Sequence, residues 1–222
     1  MTGTARTAGA VSFDLFGTLV DVERPADPAA SVATELRTRD IEVPDDWSAA
    51  FAEPHLTYAD GQERPLGAHV AAALASRRRG ADAEVLREAA DTAVRAAYDQ
   101  PVETRPGAVE AVDRLAEGCP LGVTSNCSVR GLVEQSLHRS DIDADRFDAV
   151  VSSVDCGWRK PDRRAFTETA RALDVAPGEL VHVGDDPEAD GGITDLGGRF
   201  VAVENRPVSA LLPAIDSLLE AP

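Results

Sequence analysis

After Pro101 the chain alternates short apolar runs with amphipathic stretches, and this alternation restricts the fold more than any other feature. A helix over 107–117 precedes a strand at 121–124, and a helix near 129–137 precedes a strand at 149–152. A helix at 163–173 leads to a strand at 180–183, a short helix, a last strand at 200–203 and a C-terminal helix. Short apolar strands separated by helices are the pattern of a parallel sheet with right-handed crossovers. One further strand, 10–15, stands far upstream. Between Pro25 and about Gln100 no strand-like run occurs. From Pro25 to about Gln100 apolar residues recur at helical spacing, as in Val32 and Leu36, Val70 and Leu74, and Val85, Leu86, Ala89 and Ala93. Pro44, Pro54, Pro65 and Gly80 punctuate this stretch into about four helices. The expectation is an α/β chain with an all-helical insertion after its first strand.

Composition narrows the function classes. A chain of 222 residues can hold one well-buried core plus a modest insertion. A formal charge of −17 argues against free polyanions as main partners, because nucleic-acid binders carry a basic face. The run Arg77-Arg78-Arg79 reads as a solvated helix end, its cations near the negative end of the dipole. No apolar run is long enough to span a membrane, and the apolar stretch 8–20 is broken by Asp14 and lacks the flanks of a secretory signal. The three cysteines, Cys119, Cys127 and Cys156, have neither metal-ligand spacing nor an even count, so a reducing cytoplasm is expected. Lys160 is the only lysine among 22 basic residues. An acidic, arginine-rich composition of this kind suggests adaptation to salt.

Ligands of parallel α/β sheets bind beyond the C-terminal ends of the strands, and that is where the unusual residues fall. Asp14 ends the first strand, followed by Gly17 and Thr18. Thr124-Ser125-Asn126 end the second, and Lys160 follows the third. Gly184-Asp185-Asp186 end the fourth, with Asp190 further on. Each alone has an ordinary reading as a cap or turn residue. Together they form one chemical set. Asp14, Asp185 and Asp190 would raise one another's pKa unless a cation sat among them, and hard oxygen ligands at an open site suit Mg²⁺. Lys160 and the Ser125 hydroxyl could then meet a phosphoryl or carboxyl group, with Asp14 as a carboxylate nucleophile. A lone lysine kept amid arginines fits a place where a compact ammonium is needed.

The set resembles the haloacid dehalogenase (HAD) superfamily over nearly the whole chain. Phe13-Asp14-Leu15-Phe16-Gly17-Thr18-Leu19 is similar to its first motif, Ser125-Asn126 to the second, Arg159-Lys160-Pro161-Asp162 to the third, and Gly184-Asp185-Asp186 with Asp190 to the fourth. The resemblance implies a Rossmann-like three-layer core of residues 1–20 and 102–222, with residues 21–101 as a helical cap. It implies catalytic roles for Asp14, Ser125 and Lys160, and substrate contacts from Gly17, Thr18 and Asn126. It also implies Mg²⁺ held by Asp14, the Phe16 carbonyl, Asp185 and Asp190. The expected partner is a small, phosphorylated molecule and not nucleic acid or membrane, and the expected state is a monomer or homodimer.

One position departs from the family's phosphatases, which carry a second Asp two residues after the nucleophile as general acid and base. Here it is Phe16, and such catalysis is worth about two to four powers of ten. Asp21 is expected at the hinge and not as a replacement. Family dehalogenases carry an aromatic at that position, but they are metal-free and lack the acidic fourth motif. A phosphonate-cleaving activity would need a lysine in the cap, which has none. The leading expectation is a phosphatase, with a dehalogenase-like hydrolase or a non-catalytic binding protein as alternatives. His182 is expected to be a packed core residue, Cys127 and Cys156 inert thiols, and Trp47, Phe51, His55 and Tyr58 internal packing of the cap.

Overall fold

Strand β1 (Ala10–Phe13) is buried along its whole length, which places it at the centre of a sheet covered on both faces. The computed structural model describes residues 9–78 and 82–220; Ala8, Arg79 and Gly80, which figured in the reading above, lie outside them. Four more parallel strands complete the sheet: β4 (Leu121–Ser125), β5 (Ala149–Ser152), β6 (Leu180–Gly184) and β7 (Arg199–Ala202). Their order is β5-β4-β1-β6-β7. The chain therefore winds outward from β1 to one edge, returns, and winds to the other, which puts the switch point between β1 and β6.

Alternation along the strands divides the core into two layers. Val11, Phe13, Val123, Val181 and Val183 pack with α5 (Ala108–Ala116), α6 (Leu132–Arg139) and α9 (Leu212–Glu220). Ala10 and Leu180 face the other way, onto Phe166 and Leu173 at α8 (Arg163–Ala172) and Ile193 of a 3₁₀ helix, Asp190–Leu196. The short helix α7 (Ser153–Cys156) follows β5 directly. The expected Rossmann-like α/β core is present.

Four helices lie between Val22 and Val102: α1 (Pro28–Arg37), α2 (Trp47–Ala52), α3 (Leu66–Ser76) and α4 (Ala83–Ala97). Asp27 caps α1 through the Ala30 amide, with proline opening the helix, and Asp82 caps α4 through Glu84. α4 packs on both α1 and α3. Trp47 is buried, donates to the Ala29 carbonyl and meets the Phe51 ring, and His55 stacks near His69. Trp47, Phe51 and His55 thus serve internal packing, as expected. Arg77 pairs with Asp46 and Glu53 and Arg78 lies 3.8 Å from the Glu42 carboxylate, so the two described arginines of the run are engaged with neighbouring acids.

Two expectations need correcting, and one element adds to them. β1 stops at Phe13, because the Leu15 carbonyl accepts the amides of Leu19 and Val20 in a tight turn. Val85 is 79% exposed: the buried face of α4 is Ala90, Ala93, Val94 and Ala97, and Val85 lies about 140° around the helix from Ala90. A two-stranded antiparallel ribbon, β2 (Val20–Val22) with β3 (Val102–Thr104), went unread, and it joins the helical segment to the sheet. Asp21 sits in that ribbon opposite Glu103 and near Arg105.

Candidate active site at the sheet's C-terminal edge

The switch point brings the ends of β1 and β6 side by side, and the Asp14 amide donates to the Val183 carbonyl at 2.8 Å. Carboxylate oxygens of Asp14, Asp185 and Asp190 lie within 4.8 Å of one another. Asp14 and Asp190 are buried and Asp185 is exposed. Lys160 is 4% exposed, with Nζ 2.9 Å from Asp14 Oδ1 and 2.5 Å from Asp190 Oδ1. The sequence motifs lead us to expect Lys160 to hold Asp14 and Asp185 together; it pairs Asp14 with Asp190 instead. The backbone turn after Asp186 returns Asp190 beneath the site, while Asp185 stays at the rim and accepts from the Thr18 hydroxyl at 3.3 Å.

Two glycines make these approaches possible. Gly17 adopts φ +85°, and a Cβ there would come within 2.5 Å of the Asp185 carboxylate. A Cβ on Gly184 would collide with Asp190.

Asp190 is held from several sides. The Asp186 amide donates to its Oδ2 at 3.0 Å, and His182 Nε2 lies 3.1 Å from its Oδ1. Burial pushes its carboxyl up. The His182 hydrogen bond and the Lys160 charge outweigh that effect and hold the pKa at about 2. The ionised carboxylate can only accept, so His182 carries its proton on Nε2 and takes the Ser12 hydroxyl on Nδ1 at 2.8 Å. Burial first, then the Lys160 charge, lowers the His182 pKa and keeps the ring neutral. His182 is a core residue, as expected, and its edge-on contact with Phe166 confirms that packing. Its role in fixing Asp190 was not legible in the sequence. Asp185 shifts the other way: burial, then the Asp14 charge, raises its pKa.

The remaining expected residues take distinct places. Ser125 is 2% exposed, and its hydroxyl has no hydrogen-bond partner among the described residues. Asn126 instead engages both ends of its amide with the Lys160 backbone, at 2.9 and 2.8 Å. It fixes the lysine loop with one amide hydrogen and one carbonyl lone pair, and it also lines the cavity beside Phe16. Phe16 is half-buried and packs against the core. It lines a cavity of about 240 Å³ with Val22, Arg24, Tyr98, Val129 and Arg159. Sequence reasoning missed this cavity, whose walls come from four separate parts of the chain. A more open cleft of about 940 Å³ runs from Ala59 to Arg64 and over Arg159–Arg164.

The donor set suits a divalent cation. Three carboxylates converge and one ammonium pairs two of them, while burial and then the Asp14 charge raise the pKa of Asp185, both of which a cation would offset. Cys127 is buried, and burial pushes its thiol up to about 11; Cys156 is raised by the same cause. No helix among the described residues is long and apolar enough to cross a membrane.

Comparison with known proteins agrees with this geometry. A 2-haloacid dehalogenase from Pseudomonas syringae pv. Tomato DC3000 superposes with a TM-score of 0.61 at 22% identity, covering 94% of this chain and 98% of that one. A HAD phosphatase from Thermococcus onnurineus gives 0.56 at 19%, covering 95% and 98%. A HAD-hydrolase from Bacillus subtilis, described as bound to magnesium, gives 0.54 at 18%, covering 96% and 99%. At these identities the likeness is one of fold. Among curated proteins, none matches. The family model of haloacid dehalogenase-like hydrolases matches residues 8–191, and the chain belongs to that family.

Proposed function

We propose that the chain is a Mg²⁺-dependent phosphatase acting on a small phosphorylated molecule through Asp14. The observation that carries this reading is the convergence of Asp14, Asp185 and Asp190, of which Lys160 pairs Asp14 and Asp190, so that the cluster is an anion site only when a cation is present. Asp14, Asp185 and Asp190, with the Phe16 carbonyl, would hold Mg²⁺, whose chemistry there is to neutralise charge on the phosphoryl oxygens. An Asp14 carboxylate oxygen attacks phosphorus, and the bond from phosphorus to the leaving oxygen breaks. Water then cleaves the aspartyl phosphate, releasing phosphate and restoring Asp14. Lys160 balances charge at Asp14 and Asp190, and the Ser125 hydroxyl is free to donate to the transferring group. Residues 1–20 and 102–222 act as the core and 21–101 as a cap over it.

Phe16 decides which substrates suit this site. With no carboxyl there to protonate the leaving oxygen, aryl and acyl phosphates are favoured over alkyl phosphates. The cavity beside Phe16 supports this reading, because Phe16, Val22 and Tyr98 offer an apolar and aromatic wall. Phe16 also favours a second reading, a 2-haloacid dehalogenase-like hydrolase that attacks carbon and needs no such acid. The acidic cluster weighs against it.

Turnover of p-nitrophenyl phosphate separates the two. We expect activity with Mg²⁺, its loss with chelator, and a fall of about a thousandfold or more in Asp14→Asn. Halide release from a 2-haloacid that persists in chelator would reverse the assignment.

A further inference from the structure

We infer that Glu63, in the stretch between α2 and α3, is a positioning residue that holds together the two loops carrying Ser125 and Lys160. Its side chain is 1% exposed although it belongs to a connecting segment. Arg159 donates to both carboxylate oxygens, at 3.1 and 3.0 Å, and the Ser153 hydroxyl donates to Oε2. That same hydroxyl oxygen accepts the Cys127 amide at 2.8 Å. One carboxylate therefore reaches the residue beside Lys160 directly, and through Ser153 it reaches the residue beside Asn126.

Backbone contacts fix the same junction. The Glu63 amide donates to the Gly157 carbonyl at 3.0 Å, the Arg159 amide to Gly61 at 2.9 Å, and Leu66 to Ser128 at 2.9 Å. Gln62 and Trp158 form an antiparallel bridge. The segment thus adds a short ribbon to the loop that ends in Lys160. Asn126 then bonds the Lys160 backbone from the other loop, so the three strands of chain form a closed circuit.

The chemistry of Glu63 marks it as more than packing. Burying a carboxylate costs more than burying an apolar side chain of that size, unless its geometry fixes something an apolar contact could not. Its partners Ser153 and Arg159 lie on the connection that carries Lys160, and Ser153 passes the contact on to the Cys127 amide in the loop after Ser125. Docking of the helical segment and placement of Lys160 are one event. This inference rests on the proposed reading of the site only for its effect on turnover.

The test compares Glu63→Ala and Glu63→Gln in the full chain. Amide hydrogen exchange of Cys127, Glu63 and Arg159 should speed up in Glu63→Ala, with Glu63→Gln intermediate because its carbonyl still accepts from Ser153. With p-nitrophenyl phosphate, kcat should fall about tenfold to a hundredfold in Glu63→Ala, partly rescued in Glu63→Gln. Mg²⁺ affinity by calorimetry should not change, because the metal-site carboxylates are untouched. A purely structural Glu63 would lower Tm and leave kcat unchanged well below melting. Unchanged exchange at these amides, in whichever variant folds, overturns the inference. So does faster exchange with unchanged kcat. If wild type does not hydrolyse p-nitrophenyl phosphate, the phosphatase reading fails while the exchange measurement still decides the circuit.

Discussion

The sheet and the helical segment are built from different material. Apart from Ala10, the apolar strand positions of the sheet at zero exposure are large or branched: Val11, Phe13, Leu121, Val123, Leu180, Val181 and Val183. The helices bury alanine again and again, at Ala33, Ala50, Ala71, Ala73, Ala90, Ala93 and Ala97. A methylene is worth about 0.8 kcal/mol on burial, so each buried position of the segment contributes less than one of the sheet. The sheet can therefore carry uncompensated charge at its edge, whereas the segment is fixed to that edge by polar contacts such as Glu63 with Arg159. The candidate site resides in one region, and the other is tied to it by polar contacts.

The hardest blow to this comparison is Lys160→Met. Removing the ammonium leaves Asp14 and Asp190 facing each other, and breaking a buried pair costs about 3–5 kcal/mol. Denaturant unfolding in chelator should show this loss, and added Mg²⁺ should recover part of it. Lys160→Arg keeps the charge but not the reach of a compact ammonium, and should lower kcat/KM at least about tenfold, or about 1.4 kcal/mol. Unchanged kinetics in Lys160→Arg would show that the lone lysine is incidental.

Phe16→Asp sharpens the comparison at the boundary itself, since Phe16 belongs to the sheet end and packs toward the segment. A carboxyl there should raise turnover of alkyl phosphates by about a hundredfold and flatten the dependence of rate on leaving-group pKa. Added repulsion among carboxylates and lost aromatic packing oppose the gain, and bound Mg²⁺ offsets the first. The measurement is kcat/KM over phosphate esters of graded leaving-group pKa in both proteins. A variant that folds normally with an unchanged slope shows that the missing acid comes from elsewhere or is not needed.

What the sequence revealed follows the same division. Asp14, Ser125, Lys160, Asp185 and Asp190 were legible because strand ends in a βα chain fall at one sheet edge whatever the loops do. Which carboxylates Lys160 would join was not legible, because that depends on the turn after Asp186. The ribbon of β2 and β3 escaped because three-residue strands carry too little periodicity, and their pairing spans about eighty residues of chain. Alternation of small and large residues misled the reading of α4, where alanines and not Val85 define the buried face. Glu63 left no local signal at all: its meaning lies in contacts with Ser153 and Arg159, far along the chain.

Cys127 tests the junction with a smaller effect. Burial, aided by the charges of Glu63, Glu134 and Asp155, raises its thiol to about 11, although the Val129 carbonyl acts the other way. The unfolded chain releases this proton more readily than the folded one. Stability is therefore full below the unfolded pKa and falls as pH rises through about 9 toward 11. The loss should reach about 3 kcal/mol at most, and Cys127→Ala should remove that part of the slope in urea titrations across this range. Equal slopes would mean that the thiol is already in contact with water, and that the segment sits more loosely on the sheet than described.

The smallest expected effect comes from Val85, the most exposed large apolar residue among the described residues. It lies three residues after Asp82, the N-cap of α4, at the position where a glutamate side chain can reach back to the cap amide. Val85→Glu should therefore stabilise the helix by about 0.5 kcal/mol through that bond and the helix dipole. Repulsion from Asp82, Glu84 and Glu88 opposes the gain, but exposed charges are screened at physiological salt. No apolar contact of the buried face is lost, since that face begins at Ala90. Tm should rise by about 1–2 °C, with kcat and KM for p-nitrophenyl phosphate unchanged. A drop beyond about 1 kcal/mol would mean that Val85 is covered in solution. A changed KM would mean that the far end of the segment reaches the site, which would overturn the division between the sheet that carries the site and the helices attached to it.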